Sequence, residues 1–184
     1  MSYFDHSATT PIHPLVMDKM NSTSEAHFGN PSSIHTSGRK AKSIIESSRR
    51  IIADSIHAFS NEIIFTGSGT EANNTVLWSL IYGQNKHVIT SSIEHPAILK
   101  VLDSLAPFGV SYTKLPVNKF GEVNPKNLEE SIKDNTGLIS IMMINNEVGT
   151  INPINQISDM CKEHNIYWPI GDPLTSLRDY KLEY

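Results

Sequence analysis

A chain of 184 residues is long enough for a domain with its own core, and 39% hydrophobic with 18% charged residues is an ordinary globular composition. A net charge of −4, with no basic run longer than Arg49-Arg50, argues against a general nucleic-acid binder. No run of 18 apolar residues marks a membrane helix, no signal-peptide pattern opens the chain, and a single cysteine, Cys161, excludes an internal disulfide framework, so a cytoplasmic protein is expected.

Residues 1–36 are rich in turn formers (Thr9-Thr10-Pro11, His13-Pro14, Gly29-Asn30-Pro31-Ser32-Ser33) and read as a loop-rich arm with a short helix near Leu15–Ser22. From residue 37 to 58, Ala41, Ile44, Ile45, Ile52 and Ile56 recur at helical spacing, and Lys40, Lys42, Glu46, Arg49 and Arg50 lie mostly elsewhere on the wheel; the pattern predicts an amphipathic helix. Alternating units follow. A strand over 62–66 leads through a glycine turn to a helix over 70–82, a strand over 87–91 to a helix over 96–106, and a strand over 111–115 to a hairpin around Lys119-Phe120-Gly121-Glu122. Asn124-Pro125 opens a helix over 125–133 with a capping residue and a proline at the first helical position. The run 137–144 is apolar on both faces, as a central parallel strand requires, and a helix over 153–164 and a short strand Ile166-Tyr167-Trp168 complete the series. Strands alternating with helices imply a largely parallel sheet covered on both sides, an α/β fold over residues 37–168, followed by a divergent tail over 169–184.

The turn Thr66-Gly67-Ser68-Gly69-Thr70-Glu71-Ala72-Asn73-Asn74 joins a predicted strand to a predicted helix, where free backbone N–H groups and the positive end of a helix dipole bind phosphate. It is neither a dinucleotide fingerprint nor a P-loop. On the residues alone it is either a phosphate cradle or an ordinary βα turn with Thr70 as the helix cap. In parallel sheets ligands sit at the carboxyl ends of the strands. Those ends carry Gly69-Thr70, Glu94-His95 and Asn145-Asn146-Glu147, so three polar clusters converge on one edge. For His95 the bland reading is a histidine before the helix-opening Pro96, and for Asn146 a strand-end turn. The other histidines lack metal-ligand spacing, and Cys161 reads as a small core residue of its helix.

Five ordered motifs resemble the cysteine desulfurases, pyridoxal-phosphate (PLP) enzymes of aminotransferase class V: Tyr3-Phe4-Asp5-His6-Ser7-Ala8-Thr9-Thr10-Pro11, Phe28-Gly29-Asn30-Pro31-Ser32-Ser33-Ile34-His35, the turn at 66–74, Ser92-Ile93-Glu94-His95-Pro96-Ala97, and Asn145-Asn146-Glu147-Val148-Gly149. The resemblance implies part of the large domain of a fold-type-I PLP-dependent transferase. It implies that Gly69 and Thr70 hold the cofactor phosphate, that His95 stacks on the pyridine ring and helps move protons, and that Asn146 hydrogen-bonds the ring's 3′-oxygen, with Asn145 structural. It further implies L-cysteine as substrate, L-alanine as product, sulfur delivered to an acceptor or scaffold protein for iron–sulfur cluster assembly, and a homodimer.

The sequence departs from that pattern near its end. Where the family places an aspartate against the ring nitrogen, this chain has Trp168-Pro169-Ile170-Gly171-Asp172, with Gly171 at the expected position and Asp172 one residue late. Neither the Ser-x-His-Lys segment that carries the cofactor covalently nor the sulfur-accepting loop cysteine occurs. The expectation is therefore the N-terminal, cofactor-binding portion of a desulfurase, inactive alone and binding PLP weakly or not at all. Self-association or a complementary C-terminal polypeptide is expected, from a shortened or frame-shifted gene or a chain boundary. A non-catalytic remnant or sulfur-transfer partner is the reading from another class, and a selenocysteine lyase is the reading with another substrate.

Overall fold

The computed structural model describes residues 2–6 and 9–167, so the expected departure at Gly171-Asp172 and the tail over 169–184 lie outside the described residues. The chain divides into two compact units, with the boundary between Ile64 and Phe65.

In the first unit, helix α1 spans Pro14–Ala26, longer than the short helix expected. Pro14 sits at the start, where its missing N–H costs no hydrogen bond, and His13 Nδ1 accepts from the N–H of Leu15 at 3.3 Å. None of its residues is buried. Helix α2 spans Thr36–Ser55 and starts on a second histidine cap, His35 Nδ1 accepting from Gly38 N–H at 3.2 Å. The preceding turn is closed by Asn30, whose side-chain oxygen accepts from Ser32 N–H (2.9 Å) and whose carbonyl accepts from Ser33 N–H (3.0 Å). That turn lies so close to α2 that a Cβ on Gly38 would come within 2.4 Å of the Ser33 carbonyl. Ala41 and Ala53 are buried on the apolar face of α2, and Arg49 reaches from the helix to the Ile63 carbonyl and to Glu46.

In the second unit, helix α3 spans Gly69–Ser79, strand β1 His87–Ser91, helix α4 Pro96–Leu105, strand β2 Ser111–Leu115, helix α5 Pro125–Glu130, strand β3 Thr136–Ser140 and helix α6 Ile154–Glu163. The three strands form a parallel sheet in the order β2-β1-β3. Every residue of β1 and β3 is buried, and the side chains alternate between two layers. Val88 and Leu138 pack with Leu77, Leu80, Ile98, Leu102 and Leu105 of the α3–α4 layer. Ile89 and Ile139 pack with Leu115, Leu128, Ile157 and Cys161 on the α5–α6 side. Each fully buried aliphatic side chain there contributes about 1.5–3 kcal/mol. Cys161 sits in this core as expected, and burial pushes its thiol pKa up to about 12.

Two strand expectations change. Residues 62–66 take no place in the sheet: Ser60–Glu62 form one 3-10 turn and Ile63 is extended. A strand needs a neighbour for its backbone groups, and none of β1, β2 and β3 pairs with this segment. The apolar run 137–144 pairs in parallel only as far as Ser140. Ile144 then faces Ile151 across an antiparallel bridge. The hairpin at 119–122 forms as expected, closed by a Val117–Val123 bridge and by Asn118 N–H donating to the Glu122 carbonyl at 3.0 Å. Tyr167 extends the sheet by a parallel bridge to Leu138.

Candidate functional site

Beyond the carboxyl ends of β1 and β3 the second unit opens into a cleft of about 770 Å³. Its lining includes Glu94 and His95 after β1, Asn145 and Asn146 after β3, and Lys119 and Phe120 from the hairpin.

His95 stands at the start of α4, followed by Pro96 at the first helical position. Its Nδ1 accepts from Ala97 N–H at 3.1 Å, which leaves Nε2 to carry the proton of the neutral ring. The side chain is exposed. The cap and the site role are therefore compatible in one residue. Asn146 sits exposed in the turn that Asn145 builds. Asn145 is buried; its side-chain oxygen accepts from the N–H groups of Glu147 (2.9 Å) and Val148 (3.0 Å), and its amide donates to the Ile93 carbonyl (3.3 Å). Gly149 closes the turn at φ +73°, with its N–H donating to the Asn145 carbonyl. The structural role expected for Asn145 is what the geometry gives it.

The cleft brings His95 and Asn146 together, and Gly69 and Thr70 are not among its lining residues. They stand at the start of α3, a helix that packs against α4. The cap of α3 is Ser68, not Thr70: Ser68 Oγ accepts from Glu71 N–H at 3.2 Å, because the helix begins at Gly69. Glu71 reaches back and accepts from Gly67 N–H at 2.6 Å, a capping box displaced by one residue. Among the described residues the N–H groups of Gly69 and Thr70 have no hydrogen-bond partner. Two unclaimed donors on the positive end of an 11-residue helix suit a phosphate monoester, so the residues present fit the anionic end of a PLP molecule.

Residue types and spacing placed Glu94 beside His95 in a polar cluster at a strand end but gave it no role of its own. It is 5% exposed, and its Oε1 accepts from Met142 N–H at 2.8 Å and from Ser91 Oγ at 3.0 Å, while Oε2 is buried with no partner. Burial raises its pKa to about 7, against the pull of those two hydrogen bonds. The hairpin is also part of the site. Asn152 accepts from Val123 N–H (3.0 Å) and donates to the Met142 carbonyl (2.8 Å), and Thr150 Oγ donates to the Phe120 carbonyl. Lys119 Nζ lies 4.9 Å from the centre of the Phe120 ring. The only signal in the sequence was the turn itself, which says nothing of what it overhangs. Among the described residues no cluster of three or more metal-ligating side chains occurs, and no helix is long and apolar enough to cross a membrane.

Comparison with known proteins places these features in a family. Residues 2–170 match the family described as aminotransferase class V. Over 169 residues the chain is 44% identical to a cysteine desulfurase IscS of Dictyoglomus turgidum, covering 90% of this chain and 43% of that protein. A cysteine desulfurase IscS of Methanosarcina thermophila is also 44% identical, with 90% and 42% covered. Among solved structures, SspA in complex with cysteine superposes with a TM-score of 0.86 at 37% identity, over 91% of this chain and 49% of that one. The chain thus spans under half the length of these curated relatives.

Proposed function

The chain belongs to aminotransferase class V, and on that premise we propose that it is the cofactor-binding portion of a PLP-dependent cysteine desulfurase. The observation that carries the reading is that His95 and Asn146, in the segments that follow two adjacent parallel strands, line one cleft. The N–H groups of Gly69 and Thr70 and the Thr70 hydroxyl hold the phosphate. Exposed His95 offers a flat face for an aromatic ring and an Nε2 through which a proton is moved. The Asn146 amide donates to the ring's 3′-oxygen. When bound, PLP supplies an electron sink for the bonds broken at the substrate's α- and β-carbons. The substrate is L-cysteine, the organic product L-alanine, and the sulfur passes to an acceptor protein, with iron–sulfur cluster assembly as its destination.

No Ser-x-His-Lys segment occurs in the 184 residues. The turnover proposed here is therefore that of the chain paired with a polypeptide that carries one, in a cytoplasmic homodimeric or complemented assembly. By itself the chain is proposed to bind PLP weakly and not to turn over. The test mixes the chain with such a polypeptide, PLP, L-cysteine and a dithiol reductant that supplies the two electrons needed to release the transferred sulfur, and measures alanine and sulfide. Both are expected in the mixture, not from either partner alone, and both should vanish with His95→Ala. A mixture that binds PLP yet makes neither product overturns the desulfurase reading in favour of a non-catalytic binding protein.

A further inference from the structure

We propose that Glu94 is a positioning residue for the candidate site, its carboxylate fastening the turn that carries His95 to the turn that carries Asn146. The β1–β3 register ends at Thr90 and Ser140. Among the described residues, no backbone–backbone hydrogen bond joins residues 92–96 to residues 142–147. The spacing of His95 and Asn146 is therefore not set by the sheet ladder. Two side-chain bonds take over, one in each direction. Glu94 Oε1 accepts from Met142 N–H at 2.8 Å, and Asn145 donates to the Ile93 carbonyl at 3.3 Å. Each fastening residue immediately precedes one of the two site residues. The second bond on Glu94 Oε1, from Ser91 Oγ, fixes the carboxylate against the end of its own strand, so the turn cannot pivot about a single contact. A core built for stability alone gains nothing from an ionisable group with one buried, unpartnered oxygen, since apolar replacement of buried polar pairs is often neutral or stabilising. The position makes sense as an acceptor that reaches 48 residues along the chain to Met142.

This inference rests on reading His95 and Asn146 as cofactor contacts, and its test separates the two. Isotopically labelled wild type, Glu94→Ala and Glu94→Gln are compared by amide hydrogen exchange at Met142, by the NMR resonances of the His95 ring and the Asn146 side-chain amide, and by fluorescence titration with PLP. In Glu94→Ala, Met142 is expected to exchange roughly 10-fold faster or more, both site resonances to move, and PLP affinity to fall about 10-fold, the equivalent of one lost buried hydrogen bond. Protection at Val88, Ile89 and Ile139 should stay as in wild type. Glu94→Gln, whose amide oxygen accepts the same two bonds, should restore all three readouts. The proposal is overturned if Glu94→Ala leaves the site resonances in place, or if Glu94→Gln fails to restore them. A wild type that binds no PLP removes the functional reading, while exchange at Met142 and the ring resonances still decide the role of Glu94. If Glu94→Ala does not fold, Glu94→Asp, too short by one methylene to span the gap, is read by the same measurements.

Discussion

The imidazole Nδ1 of His87 lies 2.8 Å from the hydroxyl of Thr136 on β3. Its Nε2 lies 2.8 Å from the hydroxyl of Thr113 on β2, so one buried ring joins all three strands at the end of the sheet away from the cleft. Burial, and then the charge of Lys133, lowers its pKa below the ordinary 6.5. A folded pKa below the unfolded one means that the unfolded chain takes up the proton first as pH falls. The stabilisation from neutral His87 is therefore present above about pH 6.5 and is lost as pH falls below that value through the lower folded pKa. Denaturant midpoints measured from pH 7.5 down to 5 should fall, and His87→Gln should flatten that part of the profile. Loss of both hydroxyl contacts in His87→Ala should cost about 1–3 kcal/mol at pH 7.5.

Glu94 should impose the opposite slope. Its pKa is raised from 4.5 to about 7, so the folded state holds the proton longer than the unfolded state does. The associated stabilisation is full below pH 4.5 and is lost as pH rises to about 7, by on the order of 3 kcal/mol in all. Glu94→Gln, which cannot ionise, should remove this dependence and leave the His87 limb. Urea unfolding of the single and double variants across pH 4.5–7.5 checks both signs at once. A Glu94→Gln profile that still declines through pH 5–7 would assign the decline to a group other than Glu94.

Cys161 should be chemically silent in the native protein. It is 4% exposed among Ile89, Leu128, Ile139 and Ile157, and its thiol pKa of about 12 leaves negligible thiolate at neutral pH. A thiol reagent at pH 7.5 should label it only as the chain unfolds, with the labelling rate tracking the denaturant curve. Rapid labelling of native protein would place the cysteine elsewhere.

Much of this fold was legible because its strongest signals are local. The runs at 87–91 and 111–115 emerge with the same bounds as strands, since each is bracketed by a helix signal or a proline. The 62–66 strand was not recoverable, because being a strand is a relation to a second segment and the described sheet supplies none. The α3 cap was misplaced for a different reason. Thr66, Ser68 and Thr70 are all capping types within five residues, and the choice falls to Glu71, which reaches back to Gly67 only if the helix begins at Gly69. His95 and Asn146 stood out as polar groups at strand ends. The part played by Glu94 did not, since its partner is the N–H of a methionine in a distant apolar run, and a backbone donor leaves no mark in a sequence.

The phosphate role proposed for the α3 start yields the most discriminating substitution. Gly69 occupies the first helical position, where proline is tolerated because the N–H there has no intrahelical acceptor. The preceding residue, Ser68, is already extended at φ −167° and ψ 162°, the region that proline demands of its neighbour. Gly69→Pro should therefore fold with a melting temperature close to wild type while deleting one of the two N–H donors left unclaimed among the described residues. A hydrogen bond to a charged acceptor contributes about 1.5–3 kcal/mol, so PLP affinity should fall roughly 10- to 100-fold. Thr70→Val, which keeps its backbone donor and loses only the hydroxyl, should show a smaller loss. Inorganic phosphate should compete with PLP in wild type and much less in Gly69→Pro. If Gly69→Pro binds PLP as tightly as wild type, the turn is an ordinary helix start, with the Glu71 carboxylate on Gly67 as its only anion.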